Sequence, residues 1–316
     1  MTAGRERLLI TGGSGFIGAC LARDLIAQGH EVNLALRATS KTWRLDGFHG
    51  RYTAHRADLC DAAALRRAVD ACRPEVIYHL ATHGAYSSER DRGTILATNL
   101  IGTANLLDAL EGHDYRALVH CGSSSEYGHK NRPMAENDLP EPRTDYGVSK
   151  TAATLLCLAE AYKGRPVTAV RIFSAYGPWE EPTRLVPYVM ACCSSGENPR
   201  VTAGLQPRDF VYVEDVIDLL KAAAHCREAH GQILHAGSGR QHTVRDMVET
   251  IVSVCGGGRV RAEYGAAPLR PDEPTQWVAS IERTTELTGW RPRHDLSAGV
   301  QRMWQWFTGA AVSRVA

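Results

Sequence analysis

The chain lacks a surplus of charge of either sign: across 316 residues, 36 Lys+Arg face 35 Asp+Glu, a formal charge of +1. That balance gives no general pull toward nucleic acid or an anionic membrane, so any anion binding must be local. No apolar run approaches the roughly 20 residues of a membrane span. There is no CxxC and no HExxH, and nine cysteines, an odd number scattered through apolar stretches, suit no closed disulfide framework. No metal site is expected. The opening MTAGRERLLITGG has no signal-peptide apolar stretch before its first glycines, so the chain is expected in the cytosol. Internal repeats and low-complexity linkers are also missing. With 44% hydrophobic and 22% charged residues, the composition is that of a globular protein, which excludes a disordered or fibrous chain.

What is present is an alternation of strand, turn and helix. Leu8-Leu9-Ile10 reads as a short strand, 16–28 carries apolar residues at helical spacing, and Gly29 stops it before a strand over 32–36. Further strands are predicted at 52–56, 75–80, 117–121 and 167–173, with helices at 62–72, 94–110 and 146–162. Several of these strands are continuously apolar. Such runs joined by helical crossovers predict a parallel sheet covered on both faces, a doubly wound α/β fold. After Gly177-Pro178 the rhythm changes: Pro178, Pro182, Pro187 and Pro199 punctuate short elements. A strand at 209–213, a helix at 216–225 and a core strand near 231–237 follow, then helices at 247–254, 281–288 and 296–307. The expected organisation is a Rossmann core over 1–176 with that returning strand. Residues 177–230 and 238–316 would form mainly a smaller substrate-binding cap, interleaved with the core.

The segment Thr11-Gly12-Gly13-Ser14-Gly15-Phe16-Ile17-Gly18 links the first strand to the first helix. Small residues there let the backbone approach a pyrophosphate, whose charge the helix N-terminus stabilises. Dinucleotide binding is therefore expected. An NAD site wants an acidic residue about 20 positions on. The second strand instead ends in Leu36-Arg37, with Lys41 close by. An arginine there can pair with a 2′-phosphate, so NADP(H) is expected over NAD(H).

Lysines are scarce, at 41, 130, 150, 163 and 221, yet one of them lies four residues after a tyrosine in Tyr146-Gly147-Val148-Ser149-Lys150. That spacing puts phenol and ammonium on one helix face. A free phenol has a pKa near 10, and a nearby ammonium favours the phenolate. Together with the glycine turn, the sequence resembles the extended short-chain dehydrogenase/reductase superfamily, in its sugar-nucleotide-modifying branch. The resemblance covers nearly the whole chain: TGGSGFIG, Asp58-Leu59, His79-Leu80-Ala81, Asn99, SSSEYG at 123–128, YGVSK, RIFSAYGP at 171–178, RDFVYVEDV at 208–216 and GWRPRHDL at 289–296.

The resemblance implies a catalytic set of Ser123, Tyr146 and Lys150, with Ser124 and Ser125 adjacent alternatives to Ser123. Tyr146 exchanges a proton with a substrate oxygen as hydride passes between substrate and cofactor, while the serine hydroxyl polarises the same oxygen. It implies cofactor contacts at Gly12, Gly15, Phe16, Ile17, Gly18, Arg37, Asp58, Leu59, Leu80, Ala81, Thr82, Asn99, Tyr146, Lys150 and Phe173. Substrate contacts are implied at Ser124, Ser174, Arg208 and Arg270, the two arginines gripping a diphosphate. His83 and Tyr86, just beyond the 79–81 strand end, should line the pocket near the reacting carbon.

Departures narrow the expected reaction. The family's 4,6-dehydratases carry an Asp-Glu pair after the catalytic Ser/Thr, where this chain has Ser124 and Ser125. Serines cannot do carboxylate work, and Glu126 should face away, so dehydration is disfavoured. The family's RxFNxYGP has Asn where this chain has Ser174. With the expected NADPH, these features favour a ketoreductase of a nucleoside-diphosphate 4-keto sugar. The alternatives are an NAD(P)-dependent nucleotide-sugar epimerase, a reductase of a non-nucleotide ketone, and a catalytically silent NADP sensor. A homodimer through the helices at 94–110 and 146–162 is implied by the resemblance.

Overall fold

A computed structural model describes residues 4–86, 88–268 and 273–313. The apolar runs of the first half become strands β1 (Arg7–Thr11), β2 (Glu31–Leu36), β3 (Thr53–Arg56), β4 (Val76–His79), β5 (Ala117–Ser123) and β6 (Val167–Ile172). Short strands β7 (Ser174–Tyr176), β8 (Pro207–Arg208) and β9 (Phe210–Tyr212) leave this sheet. The chain then returns to it as β10 (Ile233–Ala236) before β11 (His242–Thr243). The seven-stranded sheet has the order β10-β6-β5-β4-β1-β2-β3. Every neighbouring pair in it is parallel. This is the doubly wound Rossmann-like arrangement expected, with its switch point between β1 and β4.

Two apolar layers sandwich the sheet. Leu8 and Ile10 of β1 face one way, against α1 (Phe16–Ala27); Leu9 faces the other, against α2 (Ala62–Cys72). All three are fully buried, and each such burial stabilises by about 1.5–3 kcal/mol. The predicted helix over 94–110 is interrupted. Helix α3 (Arg92–Leu96) passes through a wide π-helical turn, Ala97–Ile101, into α4 (Gly102–Ala109). A Cβ on Gly102 would lie 2.6 Å from the Leu59 Cβ, so glycine lets this bent helix approach the loop after β3. Helix α5 (Asp145–Tyr162) starts at Thr144, whose hydroxyl accepts a hydrogen bond from Gly147 N at 3.0 Å.

The second half builds a separate apolar cluster from α6 (Leu185–Ser195), α8 (Val244–Cys255) and α10 (Leu296–Ser313). Helix α6 was not predicted, because Pro187 read as a breaker. In the structure Pro187 occupies the first turn, where no intrahelical N–H is required. Within 177–230, expected to be mainly cap, α7 (Val213–His225) instead packs on the sheet beside α1. Helix α9 (Glu282–Thr288) lies against β10 and α7. Among the described residues, no helix is long and apolar enough to cross a membrane.

Candidate active site

The glycine turn sits at the switch point, where backbones nearly touch. Gly12 has φ +71°, and a Cβ there would lie 2.5 Å from Ala81 N and 2.7 Å from the Leu80 carbonyl carbon. A Cβ on Gly18 would meet Gly12 O at 2.2 Å. Gly15 N donates to Gly12 O at 2.9 Å, and α1 then begins at Phe16 with no side-chain cap. The turn therefore leaves a side-chain-free cradle at a helix N-terminus, which fits the pyrophosphate of a dinucleotide. Across it, Arg37 is exposed beyond β2, Asp58 accepts from Cys60 N at 2.9 Å, and Leu59 is buried. Arg37 and Asp58 both act on the Cys60 thiol, so the two opposite charges share this corner.

At the end of β5, Ser123 meets α5. The Tyr146 phenol hydrogen-bonds with Ser123 and Thr82. Burial pushes the phenol above its usual range, while those two hydrogen bonds and the Arg184 charge pull it back. Arg184, from the loop before α6, thus brings a cation to the phenol from the cap side. Lys150 is buried one helical turn along, and burial pulls its ammonium down. Asn99, in the π turn, was expected to touch cofactor, yet its amide is consumed by the protein. Its Oδ1 accepts from the Thr82 hydroxyl and His83 N, and its Nδ2 donates to His83 O and to Ser149 Oγ. Asn99 fixes the loop after β4 to the helix that carries Tyr146.

The cleft's other wall comes from loops. Tyr86 is half-buried, with the Arg184 guanidinium 5.7 Å from its ring centre. His83 pairs with Glu89 at 3.3 Å, and Ser124 is buried beside Ser123. Ser174 N donates to Asp209 O at 2.9 Å. Phe173 packs its ring into a cluster with Tyr127, Met134 and Ala279. Arg208 donates to Glu273 at 2.9 Å and to the neighbouring Pro207 carbonyl at 2.7 Å. Arg270 lies outside the described residues.

The model of the NAD dependent epimerase/dehydratase family matches residues 8–237. The chain belongs to this family. The "Probable UDP-glucuronate 4-epimerase" of Rhizobium meliloti (strain 1021) is 29% identical, covering 95% of this chain and 96% of its own length. A dTDP-glucose 4,6-dehydratase of Streptomyces griseus is 27% identical over 95% of this chain and 93% of its own. Among solved structures, the UDP-glucuronic acid 4-epimerase of Bacillus cereus, in complex with UDP-glucuronic acid and NAD, superposes with a TM-score of 0.83. It is 25% identical and covers 96% of this chain and 99% of its own.

Membership in an NAD-dependent family corrects the cofactor expected from the strand end. The family is described by NAD, and the B. cereus neighbour was solved with NAD, so the preference for NADP(H) is overturned. The reason is local: Arg37 is exposed beyond the strand end, and the Asp58 carboxylate shares its corner. One charged residue read along a strand carries no information about what folds opposite it.

Two buried acids of this epimerase/dehydratase relative escaped sequence reasoning. Asp209 accepts from Ser238 N and Oγ, Gly239 N and Ala279 N, tying the 207–212 segment to the loop after β10. Burial pushes its carboxyl up to about 6 against those donors. Glu180 stands 3.6 Å from Arg184 with its second oxygen unpartnered, and burial pushes it up to about 8. The only signal for either was position, Asp209 in RDF and Glu180 three residues past Gly177.

Proposed function

We propose that the protein is an NAD-dependent nucleotide-sugar 4-epimerase, with Ser123, Tyr146 and Lys150 as its catalytic residues. The observation that carries this reading is the contact of the Tyr146 phenol with Ser123, in a site where Ser124 and Ser125 supply no carboxylate. Water elimination needs an acid and a base beyond the phenol. Glu126, the nearest candidate, spends its carboxylate on Ser123 N, Thr154 and Arg171. The case for a net ketoreductase drew on NADPH as its reductant and loses that support.

NAD, when bound, supplies a hydride acceptor that can also return the hydride. Tyr146 as phenolate takes the proton of the sugar's C4 hydroxyl while the carbon loses its hydride, giving a 4-ketone. Ser123 donates a hydrogen bond to the same oxygen in both directions. Tyr146 then returns the proton as hydride arrives on the opposite face of the ketone, so no redox equivalent is consumed. Arg208 grips the substrate diphosphate by exchanging Glu273 for phosphate oxygens. The glycine cradle holds the pyrophosphate of NAD.

We also propose a homodimer through α5. Val148, Leu155 and Tyr162 recur every seven residues on that helix and are exposed, and Ile101 is exposed on the adjacent bent helix. Light scattering should give twice the chain mass at micromolar concentration; a monomer there overturns the dimer.

The deciding assay incubates the purified protein with UDP-glucose, UDP-galactose and UDP-glucuronate without added cofactor. Formation of the C4-inverted sugar, with no net change in NADH absorbance, is expected. A second arm supplies NADH and a nucleoside-diphosphate 4-keto sugar: stoichiometric NADH consumption there, with no inversion in the first arm, would restore the reductase.

A further inference from the structure

Behind the reacting groups lies a buried ion pair with no part in the proton transfer itself. Glu126 is fully buried and Arg171 nearly so. Glu126 Oε1 accepts from Ser123 N at 2.8 Å and from the Thr154 hydroxyl at 3.1 Å, while Oε2 accepts from Arg171 Nε at 2.8 Å. Three elements converge on this one carboxylate: the end of β5 that carries Ser123, helix α5, and β6. Tyr146, Lys150 and Thr154 are spaced by four on α5 and share a face of it. Glu126 therefore grips the same face that presents the phenol and the ammonium. The neighbouring backbone is shaped for it, because a Cβ on Gly122 would come within 2.5 Å of Glu126 Oε1 and 3.2 Å of Thr154 Oγ1.

We propose that Glu126 is a positioning residue: its carboxylate, held by Arg171, sets Ser123 against α5 and, as a buried negative charge, tunes the Tyr146–Lys150 pair. This rests on the reading of Tyr146 as the proton-transfer group. Burial pushes the carboxyl itself up, against Arg171, the Ser123 N–H and Lys150. The carboxylate opposes ionisation of the phenol, adding to the larger effect of burial, and it favours the Lys150 ammonium against burial. The other groups facing the pair are few. Ser123, Thr82 and Arg184 act on the phenol. Cys121 and Cys157 face the ammonium, which in turn depresses the protonation of His79 and His120. Arg171 lies beyond Glu126, its guanidinium 4.2 Å over the Tyr127 ring, and its Nη1 has no hydrogen-bond partner. Removing the Glu126 charge therefore moves both the phenol and the ammonium to lower pH.

The test reads Tyr146 directly and needs no substrate. Phenolate absorbance is titrated in the NAD-loaded wild type, Glu126→Gln and Glu126→Asp, and each curve is corrected by its Tyr146→Phe counterpart. Gln keeps an oxygen for Ser123 N but loses the charge, so its phenol should ionise at lower pH. Asp keeps the charge and should return the curve toward wild type. An unchanged titration in folded Glu126→Gln, or an Asp variant that titrates like Gln, overturns the proposal. Where Arg171 left unpaired prevents folding, Glu126→Gln/Arg171→Met removes both charges and is read the same way. Turnover is the second arm: Glu126→Ala should lower kcat about a hundredfold, the cost of misplacing a reacting group by about 1 Å, with KM changed far less. If wild type turns over no nucleotide sugar, the epimerase reading fails while the titration still decides the role of Glu126.

Discussion

The sheet-backed half of the cleft and the cap half satisfy their polar groups differently. On the sheet side, Asn99 uses both amide atoms, Glu126 both oxygens, and His79 both ring nitrogens, on Thr11 at 2.7 Å and Thr103 at 2.8 Å. The groups that do chemistry are held by partners whose own positions are fixed. On the cap side, Glu180 keeps an unpartnered oxygen, Arg184 stands half-exposed over Tyr86, and Arg208 is folded onto Glu273. Those charges are paired with neighbours they can exchange. The contrast separates two tasks: hydride and proton transfer need fixed geometry, whereas recognising a charged substrate needs groups free to change partner.

That contrast breaks most sharply at Tyr146. Tyr146→Phe removes only the proton carrier, so turnover should fall by about 10²- to 10⁴-fold while NAD content stays near wild type. Turnover above a tenth of wild type would move the proton transfer to another group. The cap side should respond in the other kinetic constant. Arg208→Ala should raise KM for a nucleotide sugar by roughly ten- to a hundredfold, since a charge-assisted contact is worth about 1.5–3 kcal/mol, and leave kcat within about threefold. Glu273→Gln sharpens the point, because it frees Arg208 and should lower KM. A kcat loss in either variant, with KM unchanged, would mean that the cap takes part in the chemistry.

Much of the sheet side was legible in sequence because its determinants are local. Leu8–Ile10 and Ala117–Val119 are continuous apolar runs, the glycine turn is one contiguous segment, and Tyr146 and Lys150 are four residues apart. What escaped depends on long-range pairing or on tolerance of an unfavourable residue. Glu126 and Arg171 are 45 positions apart, and nothing near either indicates the other. Pro187 is harmless only because it falls in the first turn of α6. The π turn at Ala97–Ile101 is indistinguishable by periodicity from ordinary helix, yet it places Asn99 inside the site. The wrong cofactor came from the same source: Arg37 was read along the strand, while Asp58 reaches its corner from a different one.

The smallest expected effect concerns a group on the sheet side that is left unsatisfied. His120 is fully buried on β5 beside His79, their rings 5.4 Å apart, and neither of its ring nitrogens has a hydrogen-bond partner. Burial, with Lys150 and His79 adding to it, holds its protonation well below the usual histidine range. An unfolded histidine takes up a proton near pH 6.5 and the folded one does not. The unfolded state then binds more protons, and stability must fall as pH drops below about 6.5. The slope is about 1.4 kcal/mol per pH unit for each such group. His79 and His235, both pulled down to about 3, contribute in the same sense. His120→Leu loses no hydrogen bond and no longer buries an unpaired polar ring, so it should stabilise by about 1–3 kcal/mol at neutral pH. It should also flatten the acid limb by one proton. Urea unfolding of wild type and variant at pH 7, 6 and 5 gives both numbers. The stability gap should widen by about 1.4 kcal/mol between pH 6 and 5. A constant gap would mean that His120 titrates in the folded protein, and a destabilised variant would mean that its ring nitrogens have partners after all.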